Sequence, residues 1–183
     1  MGLFDLFKSK KMEISVPKVI DIYSPIDGKV IPLSDIPDES YAQKMVGDGC
    51  GIEPTGNIIY SPTDGDISIE GANHSFFIKN SELEVFFHFG IAKSFSLQQA
   101  FFDESTIEKI NFIKKNGLIR LKDDGCCEKG EKIIKVNYDS IKECFYSFKS
   151  PFIISDMDRV ASLKIVAKGE VKAGDLLMRV ILK

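Results

Sequence analysis

Apolar positions along the chain come in short runs broken by turn residues, without the sustained three-and-four spacing of long amphipathic helices. From Ile20 onward these runs alternate with clusters of Pro, Gly, Asn and Asp, a punctuation that predicts many short strands joined by tight turns. Ser24-Pro25-Ile26-Asp27-Gly28 returns as Ser61-Pro62-Thr63-Asp64-Gly65. Residues 130–136 and 174–180 share a second phrase: glycine, acid, any residue, aliphatic, any residue, base, valine. Paired phrases of this kind suggest an all-β antiparallel sandwich or barrel of two related halves, with Pro and Asp-Gly at the corners. The alternative is that Pro-x-Asp-Gly is only a generic turn.

Two phenylalanine-rich runs, Phe76-Phe77-Ile78 and Val85-Phe86-Phe87-His88-Phe89, flank the polar cluster Lys79-Asn80-Ser81-Glu82. This is the pattern of a β-hairpin. Centring the turn on Ser81 places Ile78 opposite Glu84, Phe76 opposite Phe86 and His74 opposite His88. Directly opposed residues have Cβ atoms about 4.5–5.5 Å apart, so a single phosphoryl-sized group would touch both rings. Strand alternation then turns Ser75 to the other face.

Helical signals are few and short, and the helices they predict lie on the surface. Residues 37–49 read as one capped turn that presents Tyr41, Met45 and Val46 together, either as core or as a contact patch. Residues 103–116 carry Ile107, Ile110 and Ile113 among charges and end at Asn116-Gly117, the pattern of a surface helix. A short strand is expected at Leu118-Ile119-Arg120-Leu121 and a buried one over residues 150–155, followed by one helical turn capped by Asp156.

Composition changes this picture little. The 183 residues, 44% of them hydrophobic, can bury one full core, and no linker is visible after residue 20. The net charge of −3 gives no electrostatic case for nucleic acid. Cys50, Cys126, Cys127 and Cys144 form no metal knuckle and fit a reducing compartment. No signal peptide or membrane span is legible, so a cytoplasmic location is expected. Residues 1–18 form a tail ahead of the domain at 19–183, and its Leu3, Phe4, Leu6 and Phe7 precede three lysines. Such a tail suits either a frayed segment or a short amphipathic helix on an anionic membrane at the inner face. Myristoylation lacks its Ser or Thr, since Leu6 stands there.

His74 and His88 are the only histidines, and four readings compete for them. The first is a satisfied core histidine at position 88. A metal site is the second, but two histidines without a third local ligand fall short of what zinc wants, and His88 is followed by Phe89-Gly90 where a zinc peptidase would have a second histidine. A serine or cysteine hydrolase is the third, and it lacks a nucleophile poised beside either ring. The fourth is a phosphocarrier, in which a neutral imidazole attacks a phosphoryl group and holds it as a labile phosphoramidate. A second imidazole would donate to the phosphoryl oxygens, the phenylalanines would exclude water, and Gly90 would let a partner approach closely.

Five stretches read together: Ser24-Pro25-Ile26-Asp27-Gly28-Lys29-Val30, Met45-Val46-Gly47-Asp48-Gly49, Asn73-His74, Val85-Phe86-Phe87-His88-Phe89-Gly90-Ile91 and Pro151-Phe152-Ile153-Ile154-Ser155. Through them the chain resembles the glucose-type IIA family of the bacterial sugar phosphotransferase system. The likeness implies an antiparallel β-sandwich in which His88 accepts a phosphoryl group from phospho-HPr and passes it to a cysteine of a IIB domain. It also implies that His74 stabilises the phosphoryl group and that the Gly90 carbonyl orients His88. Tyr41, Met45, Val46 and Phe86 would form an apolar rim for partners. Those partners extend by resemblance to sugar permeases, glycerol kinase and adenylate cyclase. No intrinsic cofactor is expected, although a zinc ion shared with a partner at His74 and His88 is compatible with the pair. The chain departs from the family at Ala72, where a Thr is usual, at Ala92, where an Asp is usual, and at residues 97–101, where a glycine-rich turn is usual. The histidines are also one residue closer in sequence, and residues 103–118 look inserted.

Overall fold

The computed structural model describes residues 17–93 and 104–183. Residues 1–16 of the tail expected at 1–18 and the departure at residues 97–101 therefore lie outside the described residues. The largest sheet has eight antiparallel strands in the order β10 (Gly125–Cys127), β5 (Gly65–Glu70), β6 (Ser75–Lys79), β7 (Glu84–His88), β13 (Ser150–Ile154), β3 (Asp48–Pro54), β2 (Gly28–Ile31) and β15 (Gly169–Val171). Two three-stranded sheets accompany it. One is β1 (Val19–Tyr23), β16 (Leu176–Leu182) and β14 (Val160–Ile165); the other is β4 (Ile58–Tyr60), β11 (Lys132–Val136) and β9 (Leu118–Arg120). A two-stranded piece pairs β12 (Phe145–Ser147) with β8 (Ile91–Ala92). The result is a β-sandwich with a few short helices.

One core joins all three larger sheets. Ile22, Val180, Ile59, Ile133, Phe76, Phe87 and Phe152 belong to a single buried cluster. Burying side chains of this size is worth about 1.5–3 kcal/mol each, so the alternating faces of β6 and β7 settle which way their phenylalanines turn.

The repeated phrases are equivalent in three dimensions. The Ser24 hydroxyl donates to the Ile26 carbonyl at 2.8 Å, and the Ser61 hydroxyl to the Thr63 carbonyl at 2.6 Å. Ser24 N–H donates to Asp175 while Gly174 N–H donates to Ser24; Ser61 N–H donates to Glu131 while Gly130 N–H donates to Ser61. Asp27 accepts from Ala173 N–H, and Asp64 from Lys129 N–H. Each half also reaches into the other, for Tyr23 N–H donates to the Pro62 carbonyl and Tyr60 N–H to that of Pro25. These are the two related halves read from the repeats.

Three local expectations need correction. The Asp156 side chain makes no capping bond to the short 3₁₀ turn Met157–Arg159. The helix at Glu104–Phe112 runs into a π turn at Ile113–Gly117. Ile113 is buried and Ile110 packs against the core, as the spacing suggested, but Ile107 is exposed and Thr106 takes its place in the inward stripe.

The third correction concerns the hairpin. Its pairs are Ser75 with His88, Phe76 with Phe87, Phe77 with Phe86, Ile78 with Val85 and Lys79 with Glu84, one residue away from the register centred on Ser81. Asn80 is the cause. Its N–H donates to the Leu83 carbonyl, and its side-chain oxygen accepts from Glu82 N–H and Leu83 N–H. The loop is thus the two residues Ser81 and Glu82. Phe76 and Phe87 face the core, whereas Phe77 and Phe86 face out, with rings 4.4 Å apart.

Candidate functional site

With that register His74 is not a strand residue opposite His88; it is the last residue of the turn that enters β6. Gly71 and Asn73 both adopt left-handed backbone, with φ of 61° and 62°. This breaks the strand alternation and returns the His74 ring to the His88 side of the sheet. The two imidazoles lie 4.6 Å apart, centroid to centroid, at an interplanar angle of 85°. Asn73 anchors the turn by donating to the Leu118 carbonyl at 2.9 Å, and Phe89 N–H donates to the His74 carbonyl at 2.6 Å.

Backbone groups assign the ring protons. A carbonyl can only accept, so the 2.8 Å contact between His88 Nδ1 and the Gly90 carbonyl puts a proton on Nδ1 and leaves the Nε2 lone pair free. His74 is the reverse. Ala72 N–H donates to its Nδ1 at 3.2 Å, so the neutral ring carries its proton on Nε2. One ring thus offers a free Nε2 lone pair and the other an Nε2–H. Burial and the neighbouring His88 push the His74 pKa down to about 3. Burial also lowers that of His88, against the Gly90 hydrogen bond and the Asp38 carboxylate, which favour its charged form.

Gly90 sits where only glycine fits. Its φ is 64°, and a Cβ there would meet Phe145 Cδ1 and the Ser147 carbonyl at 2.8 Å each. The empty space belongs to the protein's own Phe145 and not to an approaching partner, which corrects the reason inferred from sequence. Ser150, wholly buried in β13, accepts from Gly90 N–H at 3.0 Å and donates to the Phe148 carbonyl at 2.8 Å. It holds the N–H of the residue whose carbonyl holds His88, a role no sequence motif signalled.

The expected rim is only partly assembled. Tyr41 follows the helix start at Asp38, whose carboxylate caps Ser40 N–H at 2.9 Å. Its ring lies 6.4 Å from Phe86 and 5.8 Å from His88. Tyr41 and Phe86 pack on a second, smaller cluster formed by Ile31, Leu33, Ile36 and Ile153. Met45 and Val46 are 72% and 45% exposed and stand outside these ring contacts. Phe77, overlooked in the sequence, shares the outer face with Phe86 and His88.

Ser75 directly opposes His88 on that face, contrary to the alternation argument. No hydrogen bond joins its hydroxyl to either imidazole among the described residues, so the pair does not form a nucleophile and base. Among the described residues no group of three or more His, Cys, Asp or Glu side chains could hold a metal ion. No helix there is long and apolar enough to cross a membrane.

Comparison with known proteins bears on the same region. Residues 20–160 match the family model described as phosphoenolpyruvate-dependent sugar phosphotransferase system, EIIA 1. The chain is 32% identical over its whole length, and over the whole relative, to a PTS system glucose-specific EIIA component of Haemophilus influenzae. It is also 32% identical to part of a PTS system N-acetylglucosamine-specific EIICBA component of Klebsiella pneumoniae, matching 91% of this chain and 24% of that one. Among solved structures it resembles glucose permease IIA from Mycoplasma capricolum, with a TM-score of 0.71, 27% identity and coverage of 88% and 96% of the two chains.

Proposed function

The chain belongs to the EIIA 1 family of the phosphoenolpyruvate-dependent sugar phosphotransferase system, and on that premise we propose that it is a phosphocarrier with His88 as acceptor. The observation that supports this reading best is the pair of opposite tautomers at 4.6 Å. The His88 Nε2 lone pair attacks the phosphorus of phospho-HPr; the bond from HPr's histidine nitrogen to phosphorus breaks, and its electrons stay on that nitrogen. Positive charge arriving on the His88 ring is shared through Nδ1–H with the Gly90 carbonyl and offset by Asp38. His74 Nε2–H donates to a phosphoryl oxygen, which suits a reaction governed by positioning and by donors on the equatorial oxygens. A cysteine of a IIB domain then takes the group by the same displacement.

Tyr41, Phe86, Met45 and Val46 are the surface on which HPr and IIB would dock. Sugar permeases, glycerol kinase and adenylate cyclase are further candidates for the same face, and a zinc ion held jointly with a partner would use His74 and His88. The location consistent with this role is the cytoplasm.

Incubation with phosphoenolpyruvate, enzyme I and HPr tests the assignment. The unmutated chain should take up label as phosphohistidine at position 88. His88→Ala should take up none, and His74→Ala should accept label but not deliver it to IIB. Normal labelling of His88→Ala would refute the acceptor; an unlabelled unmutated chain would leave a purely regulatory binding module.

A further inference from the structure

Gly71 opens the turn that delivers His74, and the space above its Cα is already taken. A Cβ built there would stand 2.5 Å from Cε1 and 2.9 Å from Nδ1 of the His74 ring, distances that real Cβ atoms essentially never show. The backbone around His74 is held from both sides. On one side Asn73 is tied to Leu118, and on the other the His74 carbonyl accepts from Phe89 N–H. A side chain at position 71 would therefore be accommodated by swinging the imidazole about its own Cα–Cβ bond. That swing breaks the bond from Ala72 N–H to Nδ1, which sets the Nε2–H tautomer.

We propose that Gly71 is a positioning residue for His74, its missing side chain holding open the pocket in which the Ala72 amide orients the ring toward His88. The orienting group here is a backbone amide and not a hydroxyl, in keeping with Ala72 itself, which is buried and has none to give. The inference rests on the phosphocarrier reading for its consequence, but its geometry can be tested apart from it.

Two substitutions separate crowding from backbone strain. Gly71→Ala adds a Cβ at a φ that alanine tolerates poorly, whereas Gly71→Asn adds the same Cβ in a residue that enters left-handed backbone more readily. Both should keep His88 labelling and lose delivery to IIB by roughly tenfold to a hundredfold, the scale of cost for a misplaced group. In ¹H–¹⁵N spectra near neutral pH the unmutated protein should show His74 as the Nε2–H tautomer, and both variants should lose that signature. The proposal is overturned if the unmutated His74 carries its proton on Nδ1, or if Gly71→Asn keeps both the signature and normal delivery, even where Gly71→Ala fails to fold. If the unmutated protein takes no label, the phosphocarrier reading falls and the spectra alone decide the role of Gly71.

Discussion

Two imidazoles within contact distance do opposite work because different backbone groups hold them: a carbonyl for His88 and an amide for His74. Their shifted pKa values make the pair sensitive to acid in a definite direction. In the proposed acceptor role His88 attacks as a neutral ring, and its pKa lies below the ordinary 6.5. The initial rate of label uptake should thus hold steady as pH falls toward 6.5 and drop only below it; a midpoint above 6.5 would contradict the buried, neutral ring. Stability follows the same sign. With the folded pKa of His74 lowered to about 3 from 6.5, the unfolded chain binds more protons between those values. Urea midpoints should therefore decline as pH drops through this window, and His74→Gln should flatten the decline. At this scale both histidines were legible in the sequence, because only two exist and both flank one hairpin. Gly71 and Ser150 were not, since their roles depend on what packs above a Cα and across a strand.

Element by element, the hairpin supplies the rigid part of the site and its flanks supply the aim. The strands β6 and β7 hold the outward ring pair Phe77 and Phe86, while the turn before β6 and Gly90 after β7 point the two imidazoles. Ser150 ties β13 into this arrangement. Replacing it with alanine would leave the buried Gly90 N–H unpaired, a loss of about 1–3 kcal/mol. Ser150→Ala should show that loss in chemical denaturation together with slower labelling of His88; unchanged stability would mean another acceptor takes the N–H. The hairpin was legible in its alternation and its polar centre, but not to the residue. A turn centred on one residue and a turn of two differ by a single slip, which exchanges the faces of every side chain. The choice lay in the three bonds that Asn80 makes within the hairpin turn.

For the molecule as a whole, the reciprocal bonds from Tyr23 to Pro62 and from Tyr60 to Pro25 make each half part of the other's turn. Unfolding should then be one transition. Ser24→Ala and Ser61→Ala each remove one equivalent hydroxyl bond, and each should lower that shared transition by about 1 kcal/mol. Probes placed in the two halves would check it; transitions that separate would show the halves to be independent. The duplication was readable because turn phrases are local and keep their residues. The pairing of each serine phrase with a glycine phrase far along the chain was beyond reach of any local pattern.

The antiparallel match of Val19 with Ile181, continued by the bond from Leu182 N–H to the Lys18 carbonyl, has a practical consequence. Lys18 and Leu182 stand side by side, so small probes attached at positions 18 and 183 would stay close together while the fold holds and part when it opens.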